Sequence, residues 1–66
     1  MTFKELRVSN GLTQVQMAET LGISQKSISM IEIGERKPSP RVIKRIKAAF
    51  NLSAAEMWEI LYGKEV

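Results

Sequence analysis

The chain has 66 residues and a formal net charge of +3, with ten lysines and arginines against seven acidic residues, all of them glutamate. It has no cysteine, histidine or aspartate. This excludes disulfides and the usual zinc sites, and removes most familiar catalytic constellations.

A chain this short is expected to form one domain, residues 1–66. It buries only about 60% of its unfolded surface, so its core is small. No apolar run approaches the roughly 20 residues of a membrane helix. Met1-Thr2-Phe3-Lys4-Glu5-Leu6 carries charges where a signal peptide needs an apolar stretch. The expectation is a cytoplasmic protein with no membrane partner.

The pattern predicts five helices and no strand. The first runs from about Thr2 to Ser9. Thr2 can cap it, Glu5 can complete a capping box, and Phe3 and Leu6 are its apolar members. Asn10-Gly11 ends it, with Gly11 free to take the left-handed conformation. The second starts after the N-cap Thr13 and turns Met17, Ala18 and Leu21 inward, with Val15 only partly buried. Gly22 sits at the following turn, where a positive φ would be costly for a residue with a Cβ.

The third helix starts after Ser24 and runs to about Ile33, and Gly34 stops it. Glu35-Arg36-Lys37-Pro38-Ser39 reads as loop, because Pro38 disfavours helix at Lys37. Ser39 caps the fourth helix and Pro40 takes its first position. Its apolar face is Val42, Ile43, Ile46, Ala49 and Phe50, and Asn51 is a left-handed C-cap. Ser53 caps the fifth helix, with Glu56 as a second capping box. Met57, Trp58, Ile60 and Leu61 follow, and Gly63 ends it.

Helices two and three, joined by a glycine turn with small Ala18 at the crossing, have the sequence logic of a helix-turn-helix. At about 100° per residue, Ile28 and Ile31 define the inward direction of helix three. Gln25, Lys26, Ser29, Met30 and Ile33 then form its outer face.

Each outward residue has a use at a base edge. Gln25 can pair bidentately with adenine, Lys26 can reach guanine or a phosphate, and Ser29 can contact several bases. Met30 and Ile33 can pack on a thymine methyl or a sugar. The alternative for Gln25 and Lys26 is an ordinary solvated helix face. Two large apolar residues pointing outward suggest burial against DNA or protein, and Ile33 could instead pack on the following loop.

Gln14 lies in the first turn of helix two, where free N–H groups and the positive dipole end suit a phosphate. Glu32 lies close to the inward face of helix three and needs a partner. Arg7, on the helix of Phe3 and Leu6, can supply a bidentate one, giving a structural ion pair.

Charge is unevenly spread. Residues 35–47 carry Arg36, Lys37, Arg41, Lys44, Arg45 and Lys47 against Glu35 alone, a net +5, whereas residues 1–34 balance and residues 48–66 sum to −2. A clustered basic surface attracts polyanions. The alternative is a solvated face of helix four.

At these residues the chain resembles the phage repressor and Cro-type helix-turn-helix family, also called the xenobiotic-response-element family. The matching residues are Leu12-Thr13-Gln14, Ala18, Leu21-Gly22, Ser24-Gln25-Lys26-Ser27-Ile28-Ser29, Ile31-Glu32, Gly34 and Lys37-Pro38-Ser39. Ile46, Ala49 and Phe50-Asn51-Leu52-Ser53 also fit, so the likeness covers nearly the whole chain.

The resemblance implies an all-α, five-helix lambda-repressor-like bundle that binds double-stranded operator DNA, generally as a homodimer. By position it implies base contacts from Gln25, Lys26 and Met30, to which the outward face adds Ser29. It implies phosphate contacts from Gln14, Arg36, Lys37 and Arg41, and Ser24 is expected to join them. Met30 and Ile33 are apolar where members often carry polar residues. Arg7 and Glu32 match an ion pair found in some members.

For the dimer, Trp58, Ile60, Leu61 and Tyr62 on the last helix are the expected interface, with Met57 and Leu61 also suited to the core. Trp58 could alternatively fold back over its own core. The function expected is a transcriptional regulator, more specifically a repressor on a near-palindromic operator. It would have no enzymatic activity, cofactor or metal, and no small-molecule effector. The alternative is a protein-interaction module of the same fold, an anti-repressor or antitoxin partner.

Overall fold

A computed structural model of the chain describes residues 1–62. Within them lie five helices: α1 (Phe3–Ser9), α2 (Gln14–Leu21), α3 (Gln25–Glu32), α4 (Pro40–Phe50) and α5 (Ala54–Tyr62). The expected stop at Gly63 lies outside the described residues.

Hydroxyl side chains set the helix starts. Thr2, Thr13, Ser24 and Ser39 each accept the backbone N–H three residues on, as N-caps do. Ser53 does the same for Glu56 at the head of α5. Three of these starts are complete capping boxes, closed by Glu5, Gln16 and Glu56 reaching back to the cap N–H. Gln16 was not anticipated in that role. Pro40 occupies the first turn of α4. Gly22 ends α2 at φ 67°, and Asn51 ends α4 in the same left-handed region at φ 51°.

The apolar spacing of each helix builds one core. Met17, Leu21, Ile28 and Ile46 are its fully buried centre. Phe3, Leu6, Ala18, Val42, Leu52 and Met57 close around them, and Ile31, Ile43, Phe50, Ile60 and Leu61 pack at the edge. Two placements differ from the expected pattern. Ala49 is exposed because the inward face of α4 turns toward Ile43, leaving Ala49 at its margin. Val15 is also exposed, at 49%.

The bundle measures 25 × 24 × 23 Å. α1 packs on α3, and α2 packs on both α3 and α4. These contacts hold α3 from behind by its apolar residues and leave its first turn at the surface.

Candidate nucleic-acid interface

α3 is fixed at both ends by local chemistry. At its start Ser24 accepts the Ser27 N–H, and the two serine hydroxyls lie 3.0 Å apart. At its end Glu32 meets Arg7, with Arg7 Nε donating to Oε2 at 2.6 Å and Nη2 to Oε1 at 3.4 Å. The two side chains are only 12% and 5% exposed. Arg7 Nη1 also donates to the Leu12 carbonyl, 2.7 Å away. One guanidinium therefore ties α1, the start of α2 and the end of α3 together. A planar fork with five donors suits this task, which a lysine could not perform.

Gln14 extends this network outward. Its Nε2 donates to Glu32 Oε1 at 3.2 Å, and its Oε1 accepts from Gln25 Nε2 at 3.4 Å. The expectation of a side-chain donor simply facing a phosphate is thus altered, since one amide N–H is taken up by a carboxylate inside the protein. The other amide N–H and the first-turn backbone N–H groups of Gln14 and Val15 remain as donors, because a helix start has no intrahelical partners for them.

The outward face divides. Gln25, Lys26 and Ile33 are exposed, whereas Ser29 and Met30 are half-buried, contrary to a uniformly exposed face. After Gly34 the chain curls back, and the N–H groups of Glu35 and Arg36 both donate to the Met30 carbonyl. This return was not visible in the spacing of α3 itself.

The cations expected at phosphates do not all point the same way. Arg36 reaches α3 and donates from Nη1 to Ser27 Oγ at 3.3 Å. Ser27 thereby joins Ser24 to Arg36, a linking role that the sequence reading did not give it. Arg41 is exposed on the first turn of α4. Lys37 turns the other way and places Nζ 5.3 Å from the centroid of the Tyr62 ring.

Lys37 thus belongs with the aromatic end of α5. Trp58 and Tyr62 meet there with ring centroids 4.5 Å apart and planes tilted by 48°, and they remain 67% and 53% exposed. Trp58 does not fold back over its own core. Ile60 and Leu61 are half-buried and pack against the core, so only part of each remains available to a partner. A groove of about 340 Å³ separates this region from α3 and is lined by Phe3, Ile33, Pro38, Ile60 and Leu61, among others.

Among the described residues no group of histidine, cysteine or carboxylate side chains could hold a metal. No helix there is long and apolar enough to cross a membrane.

A short helix crossing, a left-handed glycine and a second helix offering its polar first turn define the helix-turn-helix class. The comparisons agree. A helix-turn-helix family model matches residues 3–57, and the chain belongs to that family, in its xenobiotic-response-element type. It is 31% identical over 65 residues to an uncharacterised helix-turn-helix-type transcriptional regulator of Archaeoglobus fulgidus, covering 92% of this chain and 93% of that one. It is also 31% identical over 55 residues to YgzD of Bacillus subtilis, likewise an uncharacterised transcriptional regulator of this type, covering 83% of each. No solved structure matches it at comparable significance.

Proposed function

We propose that the protein is a sequence-specific double-stranded DNA-binding transcriptional regulator, acting in the cytoplasm as a repressor on a near-palindromic operator. The observation that supports this most is the setting of α3. Buried Ile28 and the Arg7–Glu32 pair hold the helix, while Gln25 and Lys26 stand exposed on its first turn beside Arg36. In this reading α3 enters the major groove. Gln25, Lys26 and Ser29 meet base edges, and Met30 packs on a thymine methyl or sugar with the part of its surface left open. Gln14, Ser24, Arg36, Lys37 and Arg41 meet phosphates, which requires Lys37 to leave the Tyr62 ring.

A homodimer completes the reading. One copy is 25 Å across, whereas half-sites one DNA turn apart need two recognition helices separated by about 34 Å. Exposed Trp58 and Tyr62, with Ile33 at the rim of the adjoining groove, are the surface assigned to the second copy. The family and the two relatives support regulation of transcription.

Selection from randomised duplex DNA tests this directly. The expected result is enrichment of a symmetric site whose affinity falls steeply with salt as counterions are released. Gln25→Ala should relax one or two base pairs by about 1–3 kcal/mol, whereas Lys37→Ala should weaken all sequences alike. An unenriched pool, with one protein captured tightly instead, would favour an interaction module built on the exposed Trp58, Tyr62 and Ile33.

A further inference from the structure

Arg36 and Lys37 are neighbours whose charges part company. The Arg36 guanidinium donates to Ser27 on α3, whereas the Lys37 ammonium stands over the ring of Tyr62, the last residue of α5. The Arg36 N–H still belongs to the curl that closes on the Met30 carbonyl. Pro38 disfavours helical backbone at Lys37, so that curl does not carry Lys37 toward α3 with it.

At 5.3 Å from the ring centroid, the ammonium lies inside the roughly 6 Å reach of an aromatic face. Among the described residues the ion pairs are Met1–Glu59 and Arg7–Glu32, so Lys37 is held there by the ring and not by a carboxylate. Both partners are exposed. A ring contact at such a site is weak, a bias of roughly two- to five-fold. A phosphate oxygen attracts the same ammonium with a full charge, and the contact also releases a counterion. Phosphate therefore wins, but it wins against the ring and not against water alone.

We propose that the Tyr62 ring and a DNA phosphate compete for the Lys37 ammonium, so that the Lys37–Tyr62 contact is an autoinhibitory latch between the aromatic end of α5 and the DNA-binding surface. The inference rests on the phosphate role of Lys37 proposed above. Two consequences follow from the sharing. DNA that takes the ammonium bares the Tyr62 ring beside Trp58. Conversely, whatever covers that ring face sets Lys37 free for phosphate, and by linkage the two effects are equal in size.

The test is affinity for a duplex cut to one half of the selected site, which one copy of the full chain binds, so that pairing between copies does not enter. Tyr62→Leu should tighten binding by roughly two- to five-fold, because the phosphate no longer competes with a ring. Tyr62→Phe keeps a ring face and should not show the gain. Lys37→Met should weaken binding and lower the slope of log affinity against log salt by about one. In a Lys37→Met background Tyr62→Leu should change nothing. NMR supplies a second readout. The ε-methylene protons of Lys37 should be shifted upfield by the Tyr62 ring in the free protein and lose that shift when the duplex is added.

Tyr62→Leu that leaves affinity unchanged, or lowers it, overturns the inference. So does a gain that persists in the Lys37→Met background, or an ε-methylene shift that survives in the complex. If Lys37→Met changes neither the affinity nor the salt slope, the phosphate role of Lys37 fails and this inference with it. If Lys37→Met weakens binding while Tyr62→Leu is neutral, this inference alone fails.

Discussion

Arg45 Nη1 donates to the carbonyl oxygen of Leu21 across 2.8 Å, joining the middle of α4 to the last residue of α2. The carbonyls of a helix's final turn have no intrahelical donors, so the bond satisfies one of them. It also fills the space beside Gly22 that a Cβ would enter. The turn between α2 and α3 is thus pinned to α4 by a side chain that lies where a Cβ at position 22 would be.

Gly22→Ala should destabilise the fold for two reasons. Its φ of 67° is strained for a residue with a Cβ, at about 1–2 kcal/mol, and the methyl group displaces the Arg45 guanidinium. Because the guanidinium is the flexible end of its side chain, the second effect is the loss of one hydrogen bond rather than a rigid clash. Urea denaturation of the single and double variants checks this. Gly22→Ala should cost less in an Arg45→Ala background, leaving only the backbone strain.

Removing one partner of the Arg7–Glu32 pair should be far more damaging. Glu32→Ala leaves the Arg7 fork and the Gln14 amide without their acceptor in a nearly closed site, which typically costs about 3–5 kcal/mol. A 66-residue domain has a total stability of only about 3–10 kcal/mol. Thermal melting of Glu32→Ala should therefore show a weak transition or none. Replacing both residues, Arg7→Met with Glu32→Leu, should recover much of the loss.

Two of the three complete capping boxes should loosen in acid. Thr2 and Ser53 donate to the carboxylates of Glu5 and Glu56, and these bonds hold both groups below the ordinary glutamate value of 4.5. A lowered folded value means the caps contribute fully above the ordinary range and are lost as pH falls through the folded value. The α2 box is an internal control, because neutral Gln16 accepts the Thr13 N–H. In an NMR titration the amide signals of Thr2 and Ser53 should move below pH 4.5, while that of Thr13 stays still.

Trp58→Ala should leave the monomer's melting temperature nearly unchanged, since the ring covers little of the core. If the proposed dimer uses this surface, sedimentation equilibrium should show the variant shifted toward monomer, with weaker cooperative binding to a symmetric site. An unchanged association constant would move the interface elsewhere.

The helices were legible in the sequence because their signals are local. Thr13, Ser24 and Ser39 act on N–H groups three residues away, and Gly22 and Asn51 act on their own backbone. The core followed from the same periodicity, with Met17, Leu21, Ile28 and Ile46 at its centre. Arg7 and Glu32 were legible as a pair because each stood out, a cation and an anion beside apolar stripes. The bond from Arg45 to Leu21 spans 24 residues and depends on how α2 crosses α4, which no periodicity encodes. The same is true of Gln14 bridging Glu32 and Gln25, and of Lys37 turning from its neighbour Arg36 toward Tyr62. Side-chain direction at a crossing is a tertiary quantity, so the candidate surface could be named residue by residue while its internal wiring could not.

Arg7 and Arg45 flank α2, on the carbonyl of Leu12 just ahead of its cap and on that of Leu21, its last residue. Both bonds join a cation to a neutral backbone dipole in part-buried positions, where dissolved ions screen little. Lys26, Arg36, Lys37, Arg41, Lys44 and Lys47 are exposed, and their charges are open to screening. The basic residues thus divide into two arginines whose bonds to backbone carbonyls locate a helix, Arg45 doing so from an otherwise exposed side chain, and a set whose charges meet the solvent. Ionic strength acts on the second and spares the first. Concentrated salt should strip a bound polyanion from the protein while leaving the frame that presents α3 intact, so that release is reversible by dilution without any refolding.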